Sequence, residues 1–503
     1  MTPGGGSGGA VERGSALEQD VLSTSAAGPA ATRGGALRVG GYMLGSLTSA
    51  VSAALLFRHL GVTDTGLYVT ALSLVALVGA LSDFGLTAVG VREFSVRPPS
   101  ERTRVAQDLL GLRLVLTVTG IAAMIAIAGV AYSATMAAGV ALAGAGLLLQ
   151  ATQDNVAMTL VVELRLGLVA ALELLRQVLT TLLILVLVLA GAQLLAFLSV
   201  SIPVTAVVLT CTVALVRGRR ALRPLFDRRR WHALLAAVLP YSAAVAAAVL
   251  YFRVSILIVS ALASGKQLGY YSASFRIIEV LAPIPGLLVG AAFPIFARAA
   301  RDDHARLGYA LGRVFEVALI AGAWIAVSTI VGAGLAISII GGSAFEPAAP
   351  VLALQGVALG AAFVSTVWAN GLLGLGLFRQ ILWLNLAALI AAAGIVAALV
   401  ELDGARGAAI GTIIAEVGVA IASAALVVRG RPALKPRLRV IPRVAFSAGL
   451  ALTPLAIEGW PVIARLVLST ALYLAALILT GALPAELRAL VPDWMHRSRG
   501  RSA

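Results

Sequence analysis

Apolar runs about 20 residues long recur along the whole of this chain, and no other feature restricts its fold as much. In a lipid interior every backbone N–H and C=O must find its partner within the protein, and continuous apolar runs of this length meet that demand as helices. Of the 503 residues, 60% are hydrophobic and only 12% are charged, a balance that excludes a soluble globular domain. Read between polar breaks, the runs predict spans near 37–57, 66–91, 109–131, 136–161, 167–190, 194–216, 235–262, 268–297, 311–340, 348–376, 380–400, 406–428, 441–457 and 462–482. The expected fold class is an all-α, polytopic membrane protein with about 14 transmembrane helices.

Lys and Arg collect on the cytoplasmic side of short membrane-protein loops. With the N-terminus placed inside, the outer loops hold only Arg58, Lys266, Arg406 and Arg465, and 31 of the 38 basic residues fall on the inner side. A missed or invented span would scramble that alternation downstream, so the pattern supports the span count and predicts a multi-pass cell-membrane protein with both termini cytoplasmic. The formal charge of +15 is then a topology signal, with some attraction to anionic membrane lipid, and a nucleic-acid partner is not expected. Cys211 is alone, His59, His232, His304 and His496 show no metal-ligand spacing, and Lys266 and Lys435 follow no GxxxxGK. No disulfide, metal site, cofactor or ATP-hydrolysing motif is therefore expected.

Residues 1–33 are rich in Gly, Ser and Ala, lack the apolar core of a signal peptide, and read as a disordered cytoplasmic tail. An internal duplication organises most of the remaining chain. RHLGVTDTGLYVTALSLV after the first span echoes SALASGKQLGYYSASFRII after the seventh, with Gly66 and Gly269, and Tyr68 and Tyr271, aligned at an offset of 203. The expected domains are an N-lobe of six helices at 34–216, a solvated basic linker at 217–234 and a C-lobe of six helices at 235–430. A helix pair at 431–484 and a basic cytoplasmic tail at 485–503 complete the chain. Six spans is an even number, so both lobes enter from the same side, and their pseudo-twofold axis is expected normal to the bilayer.

The stretch LLFRHLGVTDTGLYVTALSLVALVGALSDFGLTAVGVREF, residues 55–94, resembles the N-terminal signature of the oligosaccharide flippase (Wzx-like polysaccharide transporter) family. That family belongs to the multidrug/oligosaccharidyl-lipid/polysaccharide (MOP) superfamily. A basic residue and LG close the first span, G-x-Y opens the second, and Asp83, Gly85 and Leu86 supply the D-x-GL that ends it. The resemblance implies a V-shaped, MATE/MOP flippase-like bundle that moves polyprenyl-pyrophosphate-linked sugars from the inner to the outer leaflet. It also implies polysaccharide polymerases and glycosyltransferases as neighbours in the pathway. Lipid II flippases typically carry an arginine midway along the first span, whereas GGYMLGSLTSAVSAALL here has none, so the likeness does not extend to that substrate.

Charges inside the membrane carry the functional reading. The segment YYSASFRIIEVLAPIPG, 270–286, places Arg276 and Glu279 within an apolar span, where each would cost about 2.5–3.5 kcal/mol at the bilayer centre. Arg253 in the seventh span and Arg276 in the eighth both lie roughly 12–14 Å below the outer surface, on helices joined by a short loop. Shifting by 203 residues lands on Ala50, Ser73 and Ala76, so the repeat folds without these charges in its first half. Two readings stand: arginines facing a wet cavity that receives a diphosphate, with Glu279 beside them, or an internal Arg–Glu network pinning two helices.

Glu279, Asp83, Asp154 and Glu416 are candidates for a coupling proton or sodium ion, and Asp83 has a plain alternative as a helix-end residue. Gln150, Gln153, Asp154 and Asn155 form a polar belt in the fourth span, facing either sugar hydroxyls or neighbouring helices. Arg176 with Glu173, and Arg313 with Glu316, read as local ion pairs. Pro283 and Pro285 mark a candidate hinge. The expected function is flipping of a lipid-linked oligosaccharide, without enzymatic activity. The alternatives are a cation-coupled multidrug exporter of the same superfamily and a membrane glycosyltransferase or polymer ligase, the latter disfavoured by outer loops too short to carry a catalytic domain.

Overall fold

The computed structural model describes residues 27–483, apart from 84, 88–89, 92, 94–98, 164, 217–222, 291, 303, 430, 432–433 and 437. Much of the expected tails, residues 1–26 and 484–503, and part of the linker lie outside the described residues. The first helix already begins at Ala27, inside the segment expected to be disordered.

The first half comprises α1 (Ala27–Asp83), α2 (Pro99–Ala131), α3 (Ala134–Val162), α4 (Leu166–Leu189), the short α5 (Leu194–Ser199) and α6 (Ser201–Val216). The second comprises α7 (Arg228–Leu262), α8 (Gly265–Leu281), α9 (Pro283–Gly290), α10 (Phe293–Asp302) and α11 (His304–Gly341). A 3₁₀ turn (Ser343–Ala348) then leads into α12 (Ala349–Gly374) and α13 (Phe378–Val428), and α14 (Val440–Ala451) and α15 (Val462–Leu479) close the chain. Eleven of the described helices are long and apolar enough to cross a membrane. The protein is an all-α, multi-pass membrane protein.

Two of those helices are folded hairpins, which reconciles eleven with the larger number expected. In α1, Gly61 leaves the helical region at φ 73°, a backbone conformation that glycine alone adopts without strain. A straight helix would hold Ser49 and Ser73 roughly 36 Å apart, yet both bond one small cluster of charged side chains. The chain therefore reverses at Gly61. In α13 the helix breaks at Asp403 and Gly404, and a Cβ built on Gly407 would lie 1.8 Å from the Leu399 carbonyl oxygen, so its two arms pack backbone to backbone. The short apolar helix Val440–Ala456 stands where the thirteenth span was expected.

Each half is built around its fourth expected span. In the first, α3 packs against α1, α2, α4, α5 and α6; in the second, α12 packs against α8, α9, α10, α11 and α13. This repeated hub is the structural form of the duplication seen in the sequence. The final pair, α14 and α15, packs on α11 from outside, where the buried Tyr473 hydroxyl donates to the Ile320 carbonyl at 2.8 Å.

The halves meet chiefly through α1 against α7, α8 and α11. At the Gly61 end of the molecule the two glycines of the repeat face one another. A Cβ on Gly66 would lie 2.8 Å from Leu268 Cγ, and one on Gly269 would lie 2.1 Å from the Val62 carbonyl oxygen. Around this seam Phe57 stacks near Phe345, with ring centroids 6.2 Å apart, Arg58 donates to the Ser338 and Ile339 carbonyls at 3.0 and 2.9 Å, and Tyr132 bonds Ser260.

At the opposite end the linker crosses from one half to the other, and its described part is docked. Leu225 N–H donates to the Gln107 carbonyl at 3.0 Å, Trp231 Nε1 donates to the Asp108 carbonyl, and Arg230 pairs with the buried Asp108 carboxylate at 3.0 Å. Asp227 caps α7 through the amides of Arg229 and Arg230. Arg223, Arg228 and Arg229 are exposed, whereas Arg230 is held by Asp108, a buried counter-charge that a loop-length argument could not locate.

Because the arms of α13 touch through Gly407, Gly407→Ala is expected to lower stability by about 1–3 kcal/mol through overpacking. Gly394→Ala on the same hairpin, where a Cβ meets nothing within 4 Å, is expected to be neutral or to add up to about 1 kcal/mol of helix propensity. Thermal unfolding of the two variants in detergent checks the contrast.

Candidate functional site

The charged cluster expected near the junction of the two halves is assembled from four spans. Arg253 Nη2 and Arg276 Nη1 each take one oxygen of the Glu279 carboxylate, at 2.5 and 2.6 Å. The second amino group of each guanidinium reaches into the other half: Arg253 Nη1 donates to Ser73 Oγ at 3.1 Å, and Arg276 Nη2 to Ser49 Oγ at 2.8 Å. The result is an unbroken line of hydrogen bonds from Ser49 through Arg276, Glu279 and Arg253 to Ser73. Formally it carries one net positive charge.

Helix geometry explains the placement. Arg276 and Glu279 are one turn apart on α8, so they share a face. Arg253 comes from α7, where Phe252 and α8's Phe275 present ring faces at 6.0 and 5.8 Å from its guanidinium carbon, within cation–π range. The side chains are 14% exposed at Arg253, 33% at Arg276 and 22% at Glu279. The cluster is thus an Arg–Glu network joining two helices, with its side chains partly exposed. Ser73, at the position equivalent to Arg276 in the first half, is the partner the sequence reasoning missed; the duplication located it but gave no sign that it would touch Arg253.

Behind the rings of Phe252 and Phe275 lies a cavity of about 140 Å³ within the second half, lined also by Tyr251, Ser255, Thr412 and Glu416. Gln355 lines the same cavity and is 3% exposed, beside Tyr271, and the buried Tyr251 hydroxyl faces the Glu416 carboxylate. Glu416 accepts from Ser365 Oγ at 3.3 Å. This is one carboxylate with several neutral oxygens and aromatic walls, and no basic residue among its described lining. Ser255, Gln355 and Tyr251 were not singled out by sequence, since one hydroxyl or amide in an apolar helix is ordinary.

The first half holds a second polar cavity, about 370 Å³, lined by Ser82, Asp83, Thr87, Arg113, Gln150 and Asp154 among others. Asp83 is no simple helix cap. Its Oδ1 accepts from both Arg113 Nη2 and Thr87, and Arg113 is 3% exposed. Arg113, near the start of the third expected span, is a buried charge that the sequence analysis did not single out. Asp154 faces the same cavity and makes no ion pair or hydrogen bond among the described residues. From the polar belt, Gln153 accepts from Arg176 at 2.5 Å and Asn155 donates to the Ala106 carbonyl at 3.0 Å, so both join helices. Arg176 keeps only a 3.7 Å contact with the exposed Glu173. The Arg313–Glu316 pair forms as expected, at 2.7 Å.

Helix α8 ends at Leu281 and α9 begins at Pro283, but Ala282 between them keeps helical angles (φ −56°, ψ −31°) and bonds the Ile278 carbonyl at 2.7 Å, so the helical path continues past Glu279 through the exposed Pro283 and the buried Pro285.

With this geometry in place, solved structures supply the context. The fold matches the lipid II flippase MurJ in an inward closed conformation with a TM-score of 0.70 at 10% identity, over 87% of this chain and 96% of that one. An inward-facing multidrug resistance MATE family transporter of the MOP superfamily matches with a TM-score of 0.60 at 16% identity, over 78% and 95%. A MOP superfamily transporter from Pyrococcus furiosus matches with a TM-score of 0.53 at 16% identity, over 79% and 96%. These likenesses show the fold, a multi-pass helical membrane bundle of the kind seen in the MurJ and MATE structures. The chain belongs to the polysaccharide biosynthesis protein family, whose model matches residues 55–350. No curated protein matches it.

Removing Asp83 strands the buried Arg113 guanidinium, so Asp83→Ala is expected to destabilise the protein by a few kcal/mol, toward the lower end of about 3–5 kcal/mol because the Asp83 side chain is 44% exposed. Glu173→Ala removes an exposed partner and is expected to change stability by less than about 1 kcal/mol. Unfolding midpoints of the purified variants decide it.

Proposed function

We propose that the protein carries a polyprenyl-pyrophosphate-linked oligosaccharide from the inner to the outer leaflet of the cell membrane for surface polysaccharide assembly, as a transporter and not an enzyme. The observation that carries this reading is the pair of arginines at the junction of the two halves, held by a single carboxylate and left with net positive charge. A guanidinium offers a planar fork to phosphate oxygens, and charge-assisted bonds in a low-dielectric site are among the strongest available. The diphosphate would bind at Arg253 and Arg276, its sugars would cross through a hydrated gap opened between the halves, and the prenyl tail would remain in lipid. The basic residues on one side of the membrane support the orientation, with both termini cytoplasmic. The family's role in polysaccharide biosynthesis supports the cargo and makes glycosyltransferases and a polymerase the expected neighbours in the pathway.

Glu416 is the best placed carboxylate for a coupling proton or sodium ion. Its cavity offers the hard oxygens of Tyr251, Ser255, Gln355 and Thr412, and it shares the walls Phe252 and Phe275 with Arg253. Asp154 is the second candidate, whereas Asp83 is committed to Arg113. An acidic, aromatic cavity also suits the cationic substrates of a multidrug exporter, but size argues against it. At about 140 Å³ it falls below the roughly 300–1,000 Å³ of sites for drug-sized molecules. Pro283 and Pro285, which remove two N–H donors from the helical ladder, mark the hinge this reading uses.

In proteoliposomes, transfer of a labelled lipid-linked sugar is expected to fall at least tenfold in Arg253→Ala and in Arg276→Ala; undiminished rates would remove both from the site. Glu416→Gln is expected to abolish the acceleration of transfer by an imposed proton or sodium gradient, and a gradient response equal to that of the parent protein would exclude Glu416 from coupling.

A further inference from the structure

The cluster contains an anion of its own. Glu279 gives one carboxylate oxygen to each arginine and so occupies the side of both guanidinium groups that a diphosphate would need. With Glu279 in place the cluster has one net positive charge; without it, the two arginines match a diphosphate diester, which carries one charge on each phosphate. The same two guanidinium groups hold the other half of the protein through Ser73 and Ser49. Beyond them lie the closed seam of Gly66 and Gly269 and the Phe57–Phe345 and Arg58–Ser338 contacts.

We propose that Glu279 is a built-in competitor of the cargo, and that its displacement by a diphosphate breaks the serine bonds that keep the two halves closed at the Gly61 end. This deepens the transport reading and rests on it. Geometry gives the coupling its direction. Each arginine has one amino group on the carboxylate and the other on a serine, so phosphate oxygens that take a guanidinium by its fork compete for both bonds at once. Loading the cargo and unlocking the halves then become one event. The empty protein stays shut because Glu279 neutralises buried charge that would otherwise be stranded.

The test uses the full chain in nanodiscs with farnesyl pyrophosphate, a short prenyl diphosphate, as the probe. Equilibrium binding is compared among the parent, Glu279→Gln and the double variant Arg253→Ala/Arg276→Ala. Opening is followed by maleimide labelling of Val62→Cys, which packs against Gly269, in a Cys211→Ser background. The expected results are about tenfold tighter binding in Glu279→Gln, lost binding in the double arginine variant, and faster Val62→Cys labelling when the probe is added. Ser49→Ala/Ser73→Ala, which alters no charge, is expected to speed labelling without probe and keeps the test open should Glu279→Gln fold poorly. Equal or weaker binding in Glu279→Gln, or labelling indifferent to probe and to the serine substitutions, overturns the interlock while arginine-dependent binding leaves the transport reading standing. Binding that survives the double arginine substitution overturns both.

Discussion

A guanidinium group in a low-dielectric interior is tolerable only with a counter-charge and a full set of acceptors, and at the junction of the two halves two such groups share one carboxylate. That requirement ties α7 and α8 to both arms of the α1 hairpin, because the second amino groups of Arg253 and Arg276 find their acceptors, among the described residues, at Ser73 and Ser49. A buried ion pair is weak support for stability, since desolvation offsets most of the attraction. Its value here is geometric: it sets how the two halves face each other at the depth where the chain would otherwise be uniformly apolar.

Symmetry is kept where the backbone demands it and broken where charge is placed. Gly66 and Gly269 repeat because both turns approach another chain segment too closely for a side chain. Arg276 and Ser73, by contrast, occupy equivalent positions with different chemistry, and the serine accepts directly from Arg253, which shares the Glu279 carboxylate with Arg276. At this cluster the second half supplies the donors and the first half the acceptors.

Neutral and charged polar groups also divide the interior. The cavity of the first half contains the Asp83–Arg113 pair with Asp154 nearby, and that of the second contains Glu416 among hydroxyls, an amide and aromatic rings. Phe252 and Phe275 stand between the Glu416 cavity and Arg253, and they touch both. A change of occupancy in the cavity therefore has a short mechanical route to the arginine through two packed rings.

Local pattern determined the helices, their number, the duplication and the identity of Arg253, Arg276 and Glu279 as charges that need a reason, because length, apolarity and one-turn spacing are properties of neighbouring residues. It read the Arg313–Glu316 pair correctly for the same reason. Only the tertiary structure decided that Ser49 and Ser73 complete the cluster, that Asp83 serves Arg113, that Arg176 turns to Gln153, and that the linker docks on Asp108. Each of those partners lies on another helix, and a hydrogen bond between helices depends on their rotation and depth, which are set by packing across the whole bundle and leave no trace in the residue spacing along either helix.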